Sequence, residues 1–334
     1  MNTTSNGWIY EPVRIPLTTP VFFGLVAPLL IMGAMLNMIT CYGVHCIQLE
    51  SLLTRCLLYN ECVFDMLVCS SAFYLFIPFG DQTIPGQQNV FTCYVIRNAF
   101  LMSFLRMLMN FNIVCLACDR FWAIVYYRTY KQRQMIYVVL SYSFIFFSAT
   151  TVTLPTLFQV SFISGLCVAI IHYPVVHISK ITNIIVAYAI PVSIVVITGL
   201  WASRALKKQN SASTQVTSIN SVGKYGRTID PSLIAVQNTL SAATFGFCFV
   251  FAFLAMVGTV MSVLSITNRL DFRFDSVSRM YFNCTCGLAS SLIPVINLFT
   301  VPPLRRWYLE SIRNIYARLT SAIHHIVNRC SKFI

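Results

Sequence analysis

Seven long apolar segments alternate with shorter polar ones along the chain. They lie near residues 21–46, 57–79, 91–124, 135–159, 179–204, 239–266 and 280–301. Each is long enough for a membrane-spanning helix, which needs about 20 residues. The third and fifth segments have room for an interfacial turn as well. The pattern therefore predicts an all-α fold, a bundle of seven transmembrane helices.

Polar segments flank this bundle and complete the predicted domain organisation. We expect residues 1–20 to be extracellular, residues 21–301 to form the bundle, and residues 302–334 to form a cytoplasmic helix and tail. After two prolines end the seventh span, apolar residues recur at helical spacing among arginines: Leu304, Trp307, Tyr308, Ile312 and Ile315. This spacing predicts an amphipathic helix that lies on membrane lipid.

The longest inner loop is predicted at about residues 205–238. It contains the polar run from Asn210 to Ser218, which is typical of a flexible segment. Phosphorylation could regulate such a segment, and a solvated linker without a regulatory role is an equal alternative.

Composition supports a membrane location. Apolar residues make up 57% of the chain and charged residues 10%, against about 25% charged in an average soluble domain. A soluble fold of this composition would expose too much apolar surface to water. The net charge of +13 could indicate nucleic-acid binding. However, the basic residues cluster between the apolar segments, so we expect no nucleic-acid partner.

The basic residues also predict the orientation of the chain. The segments after spans one, three, five and seven hold 16 of the 23 lysines and arginines. Because cytoplasmic loops are enriched in these residues, the N-terminus is predicted to lie outside the cell. The protein itself is predicted to reside in the plasma membrane. The sequence Asn2-Thr3-Thr4 agrees, since it is a glycosylation acceptor of extracellular segments.

Polar residues inside a membrane span are costly and are functional candidates by default. The candidates are Asn37 in span one, Asp65 in span two, Arg106 in span three, and Asp119-Arg120 at its inner end. A simpler interpretation of Asp119-Arg120 is a helix end anchored by snorkelling. No histidine lies deep in a span beside a carboxylate, so we expect neither an enzyme, a cofactor nor a dedicated metal site.

In order and spacing, these residues resemble the rhodopsin-like (class A) family of G-protein-coupled receptors. The resemblance covers roughly residues 21–318 and rests on Asn37, on Asn60 and Asp65, on Asp119-Arg120-Phe121, on Pro191 and on Pro294. Three features depart from the family. Only the proline survives of the seventh-span motif, span four lacks the family's tryptophan, and span six lacks its tryptophan and proline. Such losses fit a divergent branch, similar to the nematode chemosensory receptors.

The resemblance implies roles for several of these residues. It implies a disulfide between Cys93 and Cys167, and an Asp119–Arg120 lock that releases Arg120 to a heterotrimeric G protein. It also implies an intramembrane polar network formed by Asn37, Asn60, Asp65, Pro294 and Asn297. Asp65 matches the family's sodium-linked aspartate, and the alternative is an aspartate that is merely hydrogen-bonded to its neighbours.

Arg106 is the most specific ligand candidate. It lies 14 residues outward of Arg120, about 21 Å along a helix, near mid-membrane. An unpaired guanidinium there needs an acidic partner, carbonyl groups or water. A ligand carboxylate or phosphate could supply the charge, and pairing with Asn110 or with residues of spans two and seven is an equal alternative. Met102, also a pocket candidate, argues against a cationic amine ligand.

The predicted function is that of a ligand-activated G-protein-coupled receptor for a small molecule or a peptide. Arrestin and a kinase are expected at the third inner loop. The alternative is a seven-span ligand-gated channel or a transporter. A transporter would favour two related halves, which the sequence does not show, and insect-type odorant channels have the opposite orientation.

Overall fold

The computed structural model describes residues 22–47, 51–75, 89–163, 166–169, 181–182, 184–218, 231–267, 269–272 and 276–330. Within these ranges the chain forms nine α-helices, three π-helical turns and one β-hairpin. The predicted extracellular segment, with its glycosylation sequon at Asn2, lies outside the described residues.

The α-helices are α1 (Ala27–Cys46), α2 (Leu52–Leu75), α3 (Phe100–Val125), α4 (Tyr127–Gln132), α5 (Gln134–Leu157), α6 (Ile190–Ser218), α7 (Pro231–Ile266), α8 (Val277–Thr300) and α9 (Pro302–Cys330). The π-helical turns precede α1, α3 and α6 and cover Phe22–Val26, Thr92–Arg97 and Ile184–Ala189. The hairpin consists of antiparallel strands β1 (Val160–Ile163) and β2 (Leu166–Ala169).

Seven of these helices are long and apolar enough to cross a membrane: α1, α2, α3, α5, α6, α7 and α8. This result confirms the predicted all-α, seven-helix bundle and indicates a multi-pass membrane protein. We call the end of the bundle with the β-hairpin the hairpin end, and the end with α4 the α4 end. Such a bundle fits a membrane receptor, a channel or a transporter.

The third span, α3, occupies the centre of the bundle. It is the most deeply buried span, and it packs against α2, α5, α6 and α7. The fourth span, α5, is the least buried, and large apolar side chains such as Phe146 and Phe147 are exposed on it. A residue on α3 can therefore contact most of the other spans, so polar groups there have a wide choice of partners.

The third span is interrupted near the hairpin end, where an interfacial turn was predicted. Ala99 separates the π-helical turn from α3 with a left-handed φ of 52°. A left-handed conformation costs a non-glycine residue about 1–2 kcal/mol. Neighbouring contacts offset this cost, because the Asn98 amide Nδ2 donates to the Thr156 carbonyl at 2.6 Å.

A disulfide joins the π-helical turn before α3 to the hairpin. It links Cys93 to Cys167, with 5.4 Å between the Cα atoms. Both cysteines are buried together with Val160 of the opposite strand. The structure thus contains the disulfide that the family resemblance implied.

Several helices extend beyond the bounds that the hydropathy pattern predicted. The fifth span continues through the polar run to Ser218, and the sixth begins at Pro231. The predicted loop at residues 205–238 is therefore wrong at both its start and its end. No glycine or proline occurs between Leu200 and Val222, and lysine, glutamine and alanine favour helix. The second span starts at Leu52 rather than 57, because the Ser51 hydroxyl accepts the Thr54 N–H as an N-terminal cap at 3.3 Å.

The amphipathic helix after the seventh span is present as α9. Its first turns pack on the end of α1, where Leu304 is fully buried and the Tyr308 hydroxyl lies 2.7 Å from the Thr40 hydroxyl. The Trp307 and Tyr42 rings also meet edge to face, with 5.8 Å between their centroids. The start of α9 is therefore fixed to the bundle.

Candidate functional site

The Asp119–Arg120 pair lies buried at the α4 end of α3. The Arg120 Nε donates to the Asp119 Oδ2 at 3.1 Å, and Nη2 donates to the same oxygen. The side chains are 7% and 0% exposed respectively, so water contributes little to their solvation. An ion pair this buried is held by its mutual attraction and its further hydrogen bonds.

Two neighbours that the sequence did not identify complete this pair. Thr54 of α2 donates its hydroxyl to the Asp119 Oδ2 at 2.7 Å, and Tyr130 of α4 donates to Oδ1. The Ser51 hydroxyl lies 2.5 Å from the Tyr130 hydroxyl. Burial and the nearby Asp119 charge raise the pKa of Tyr130, so this phenol stays a protonated donor at neutral pH. No spacing rule connects residues 54 and 130 with 119.

Arg120 also lines a small cleft among α3, α6 and α7, which we call the α4-end cleft. The cleft covers about 280 Å³, including part of the open space at its mouth, and its other lining residues are almost all apolar or small: Ala117, Val195, Gly199, Ala202, Thr244, Phe245 and Cys248. An arginine beside apolar walls can stay with its carboxylate or turn into the cleft. The cleft would widen if α7 moved away from α3.

A second carboxyl group lies one helical turn from Asp65. Glu61 of α2 is fully buried, as is Asp65. Asn112 of α3 donates its amide Nδ2 to the Glu61 Oε2 at 2.6 Å and to the Leu57 carbonyl at 2.9 Å. Glu61 was not among the predicted site residues, although a carboxylate four residues before Asp65 in an apolar run is a sufficient signal.

The predicted intramembrane network forms in part. Asn37 donates to the Ser290 carbonyl at 3.1 Å and to the Gly33 carbonyl at 3.0 Å, and Asp65 lies beside the same Ser290. Asn60 lies elsewhere, because its Oδ1 accepts the hydroxyl of Tyr142 in the fourth span at 3.0 Å. The structure thus brings Asn37 and Asp65 together at α8 and turns Asn60 toward α5.

The other two predicted members of this network lie further along α8, after Ser290. Both Pro294 and Asn297 are buried, and the Asn297 Nδ2 has no hydrogen-bond partner among the described residues. Within the same part of the chain, no group of three or more His, Cys, Asp or Glu side chains is placed to hold a metal ion. Sodium binding at Asp65 stays a prediction.

A larger cleft opens at the hairpin end, and we call it the hairpin-end cleft. It covers about 680 Å³, including part of the open space at its mouth. Its lining residues come from α3, α5, the π-helical turn before α6, α7, α8 and the segments that follow α5 and α7: Ser103, Arg106, Met107, Thr153, Thr156, Gln159, Tyr188, Ser262, Phe272, Arg279, Phe282 and Asn283. Arg106 lines the cleft as predicted, whereas Met102 is buried in the core.

The contacts of Arg106 fall on the seventh span. Its guanidinium lies over the Phe282 ring, 4.8 Å from the centroid, and Nη1 lies 4.0 Å from the Cys286 sulfur. Its Nε has no hydrogen-bond partner in the described part of the chain. Arg106 thus pairs with residues of span seven. Asn110 is not its partner among the described contacts.

A second arginine lines the same cleft. Arg279, in the first turn of α8, donates from Nη2 to the Asn98 carbonyl at 3.2 Å. Arg279 was not among the predicted ligand residues, because it directly precedes the predicted seventh span at 280–301. The helix starts at Val277 instead, which places this side chain within the cleft.

Comparison with known proteins does not assign the chain to a family. No protein-family model matches the sequence, and no curated protein matches it either. The seven spans therefore establish the architecture of the chain and no family.

Proposed function

We propose that this protein is a receptor of the rhodopsin-like type, which transmits an extracellular chemical signal to a heterotrimeric G protein. The observation that carries the proposal is the buried Asp119–Arg120 pair beside the apolar α4-end cleft. Arg120 is thus a cation that Asp119 holds in place, and the adjacent cleft is a space into which its side chain can turn. The hairpin-end cleft supplies a separate ligand site at the opposite end of α3.

The geometry supports a two-state mechanism. In the described state Asp119 binds Arg120, and Phe245 of α7 closes one side of the α4-end cleft. A ligand that binds better when α7 is displaced would shift the population toward an open cleft. Arg120 would then leave Asp119 and meet a helix end of the G protein, where carbonyl groups carry a partial negative charge.

The proposal includes an orientation and a location. The hairpin end would face the outside of the cell, and the α4 end with its basic loops would face the cytoplasm of a plasma membrane. An epitope tag before Met1 should then be labelled on intact cells, and a tag after Ile334 only after permeabilisation. The reverse pattern would favour the alternative, a ligand-gated channel of opposite orientation.

Nucleotide exchange on purified G proteins tests the central proposal without a known ligand. We expect the full-length receptor in lipid nanodiscs to accelerate exchange on at least one heterotrimer from a panel of all G-protein classes. The Asp119→Asn variant should raise this basal rate several-fold, because it weakens the hold on Arg120. The Arg120→Ala variant should reduce the rate to that of empty nanodiscs.

Arg313→Ala is the matched control, since Arg313 is an exposed arginine on α9, away from the cleft. It should leave exchange unchanged. If neither the wild type nor Asp119→Asn exceeds empty nanodiscs with any heterotrimer, the receptor proposal is wrong. Ion or solute flux into liposomes carrying the protein would then favour a channel or a transporter.

A further inference from the structure

Two guanidinium groups of like charge line the hairpin-end cleft from different helices. Arg106 comes from α3 and Arg279 from α8, and none of the other described lining residues is acidic. Arg279 also lies in the first turn of α8, which contains no acidic residue. A helix N-terminus carries a partial positive charge, so it adds to the charge of both arginines. The cleft is therefore strongly positive.

Among the described residues, most hydrogen-bond donors of these two arginines have no protein acceptor. A guanidinium has five N–H donors. Arg106 directs one toward the Cys286 sulfur, a weak acceptor, and Arg279 directs one to the Asn98 carbonyl. Among the described residues no other acceptor contacts either group, and the buried Nε of Arg106 has none at all. Guanidinium N–H groups without a protein acceptor favour a ligand that carries hydrogen-bond acceptors.

The remaining walls combine aromatic surface with neutral polar side chains. The hydroxyls of Thr153 and Thr156 donate to carbonyl groups of their own helix at 2.7 Å. Phe272 and Phe282 meet edge to face beside the cleft, with 5.8 Å between their centroids. The other polar lining residues are uncharged: Ser103, Gln159, Tyr188, Ser262 and Asn283. Among the described lining residues the charged donors are thus confined to the two arginines, next to an aromatic surface.

We propose that the hairpin-end cleft binds an organic oxyanion, a carboxylate or a phosphate attached to an apolar body. Its oxygens would lie between Arg106 and Arg279, and its apolar part would pack on Phe272 and Phe282. Guanidinium groups bind such oxyanions through paired, charge-assisted hydrogen bonds. The inference rests on the proposed function, since it names the ligand class of the proposed receptor.

Thermal unfolding of the full-length protein in phosphatidylcholine nanodiscs provides the test. The probes are phenylacetate, phenyl phosphate and inorganic phosphate, with phenylacetamide as the neutral equivalent of phenylacetate. We expect at least one anion to raise the unfolding temperature in a saturable manner, and phenylacetamide to have no effect. If neither these anions nor phosphatidic acid in the nanodisc stabilises the protein more than the neutral amide does, the proposal fails.

Arginine variants assign the effect to the cleft. Arg106→Gln and Arg279→Gln should each raise the half-saturating anion concentration by about tenfold or more, the loss expected for one charged hydrogen-bonding partner. Arg106→Lys keeps the charge without the planar fork and should lie in between. Arg269→Gln is the control, because Arg269 is exposed near the same end. A similar loss in Arg269→Gln would show unspecific charge attraction and overturn the proposal.

The stability of the ligand-free variants separates a binding role from a structural one. Removing an unpaired, desolvated charge should leave the ligand-free unfolding temperature of Arg106→Gln equal or higher, while its anion response is lost. A lower unfolding temperature with an unchanged anion response would mean that Arg106 is structural, and would contradict the proposal.

Nanodiscs that also contain phosphatidic acid distinguish the two sources of an oxyanion. Arginine-dependent stabilisation by soluble anions identifies a diffusible ligand, and stabilisation by phosphatidic acid alone identifies a lipid headgroup. Both support the site. Because binding is measured without a G protein, anion binding without nucleotide exchange would contradict only the receptor proposal. Exchange that depends on Arg120 without anion binding would contradict only this inference.

Discussion

Tyr130 donates its hydroxyl to Asp119, the same carboxylate that holds Arg120. A single side chain on α3 therefore joins the short helix α4 to the arginine that the proposed mechanism releases. Movement of α4 would change the hydrogen bonding of Asp119 and thus its hold on Arg120. We therefore expect the Tyr130 hydroxyl to affect both stability and nucleotide exchange.

Replacing Tyr130 with phenylalanine should destabilise the protein by about 1–3 kcal/mol, because a buried carboxylate loses a donor. It should change the basal nucleotide exchange of the proposed receptor as well. SDS-induced unfolding in mixed micelles measures the first effect, and the exchange assay measures the second. The ring remains, so packing against Tyr137 should persist.

Tyr126→Phe is the matched control for this change. Tyr126 is more than half exposed and lies beside the same helix. It should unfold like the wild type. Equal unfolding of the Tyr130→Phe variant and the wild type would mean that the hydroxyl contributes nothing to the bond with Asp119.

The contact between Glu61 and Asn112 should be measurable as a coupling energy. In a double-mutant cycle of Glu61→Leu and Asn112→Leu, we expect the two changes to couple by about 0.6–2 kcal/mol, the range for hydrogen bonds between membrane helices. The double variant should be more stable than the sum of the single effects predicts, since neither member of the pair is then left buried without the other. Additive effects would argue against the 2.6 Å hydrogen bond.

Gly43 should be essential for the docking of α9 on α1. A Cβ atom there would lie 2.7 Å from the Leu304 Cδ1 and 2.9 Å from the Trp307 Cε3, closer than van der Waals contact allows. We expect Gly43→Val to displace α9 and to accelerate trypsin cleavage after Arg305 and Arg306. Mass spectrometry of the timed digest identifies the cleavage sites.

Gly24→Val controls for a larger side chain on the same span. No atom lies within 4 Å of a Cβ built at Gly24, so this variant should be cleaved at the wild-type rate. Equal protection of Arg305 in both glycine variants would show that α9 does not need the close approach at Gly43.

The disulfide should stabilise the hairpin end. We expect a Cys93→Ala and Cys167→Ala double variant to lose about 2–4 kcal/mol and to unfold independently of reductant. The wild type should unfold at a lower temperature when a reductant is present during heating. Cys46→Ala, which removes an exposed free thiol, should retain the wild-type response. A wild type that is insensitive to reductant would contradict the prediction.

The number and order of the spans could be predicted from the sequence because a membrane span leaves a long local signal. An apolar run of about 20 residues needs no knowledge of its partners. Asp119 and Arg120 were found for the same reason, since a charged pair at the end of such a run is locally unusual. Their partners Thr54 and Tyr130 are ordinary residues that become important only through contacts between helices.

Two errors within the site have a physical cause that helix geometry explains. Asn60 and Asp65 are five residues apart, which at about 100° per residue places them on different faces of α2. One side chain therefore meets Tyr142 and the other meets Ser290. Arg279 was not predicted to line the cleft, because it precedes the apolar run and helix starts are set by capping rather than by hydropathy. The Ser276 hydroxyl accepts the Arg279 N–H at 3.3 Å and begins α8 before the apolar run.

Asn98, beside the break before α3, is a shared anchor point at the hairpin end. Its amide reaches the end of α5 and its carbonyl receives Arg279 of α8, so three spans meet at one residue. Neither α5 nor α8 can slide away from the start of α3 without breaking one of these hydrogen bonds. A pull on α8 would thus be transmitted to α3 and α5, and motion at this end would fall to α6 and α7, which these two hydrogen bonds do not involve.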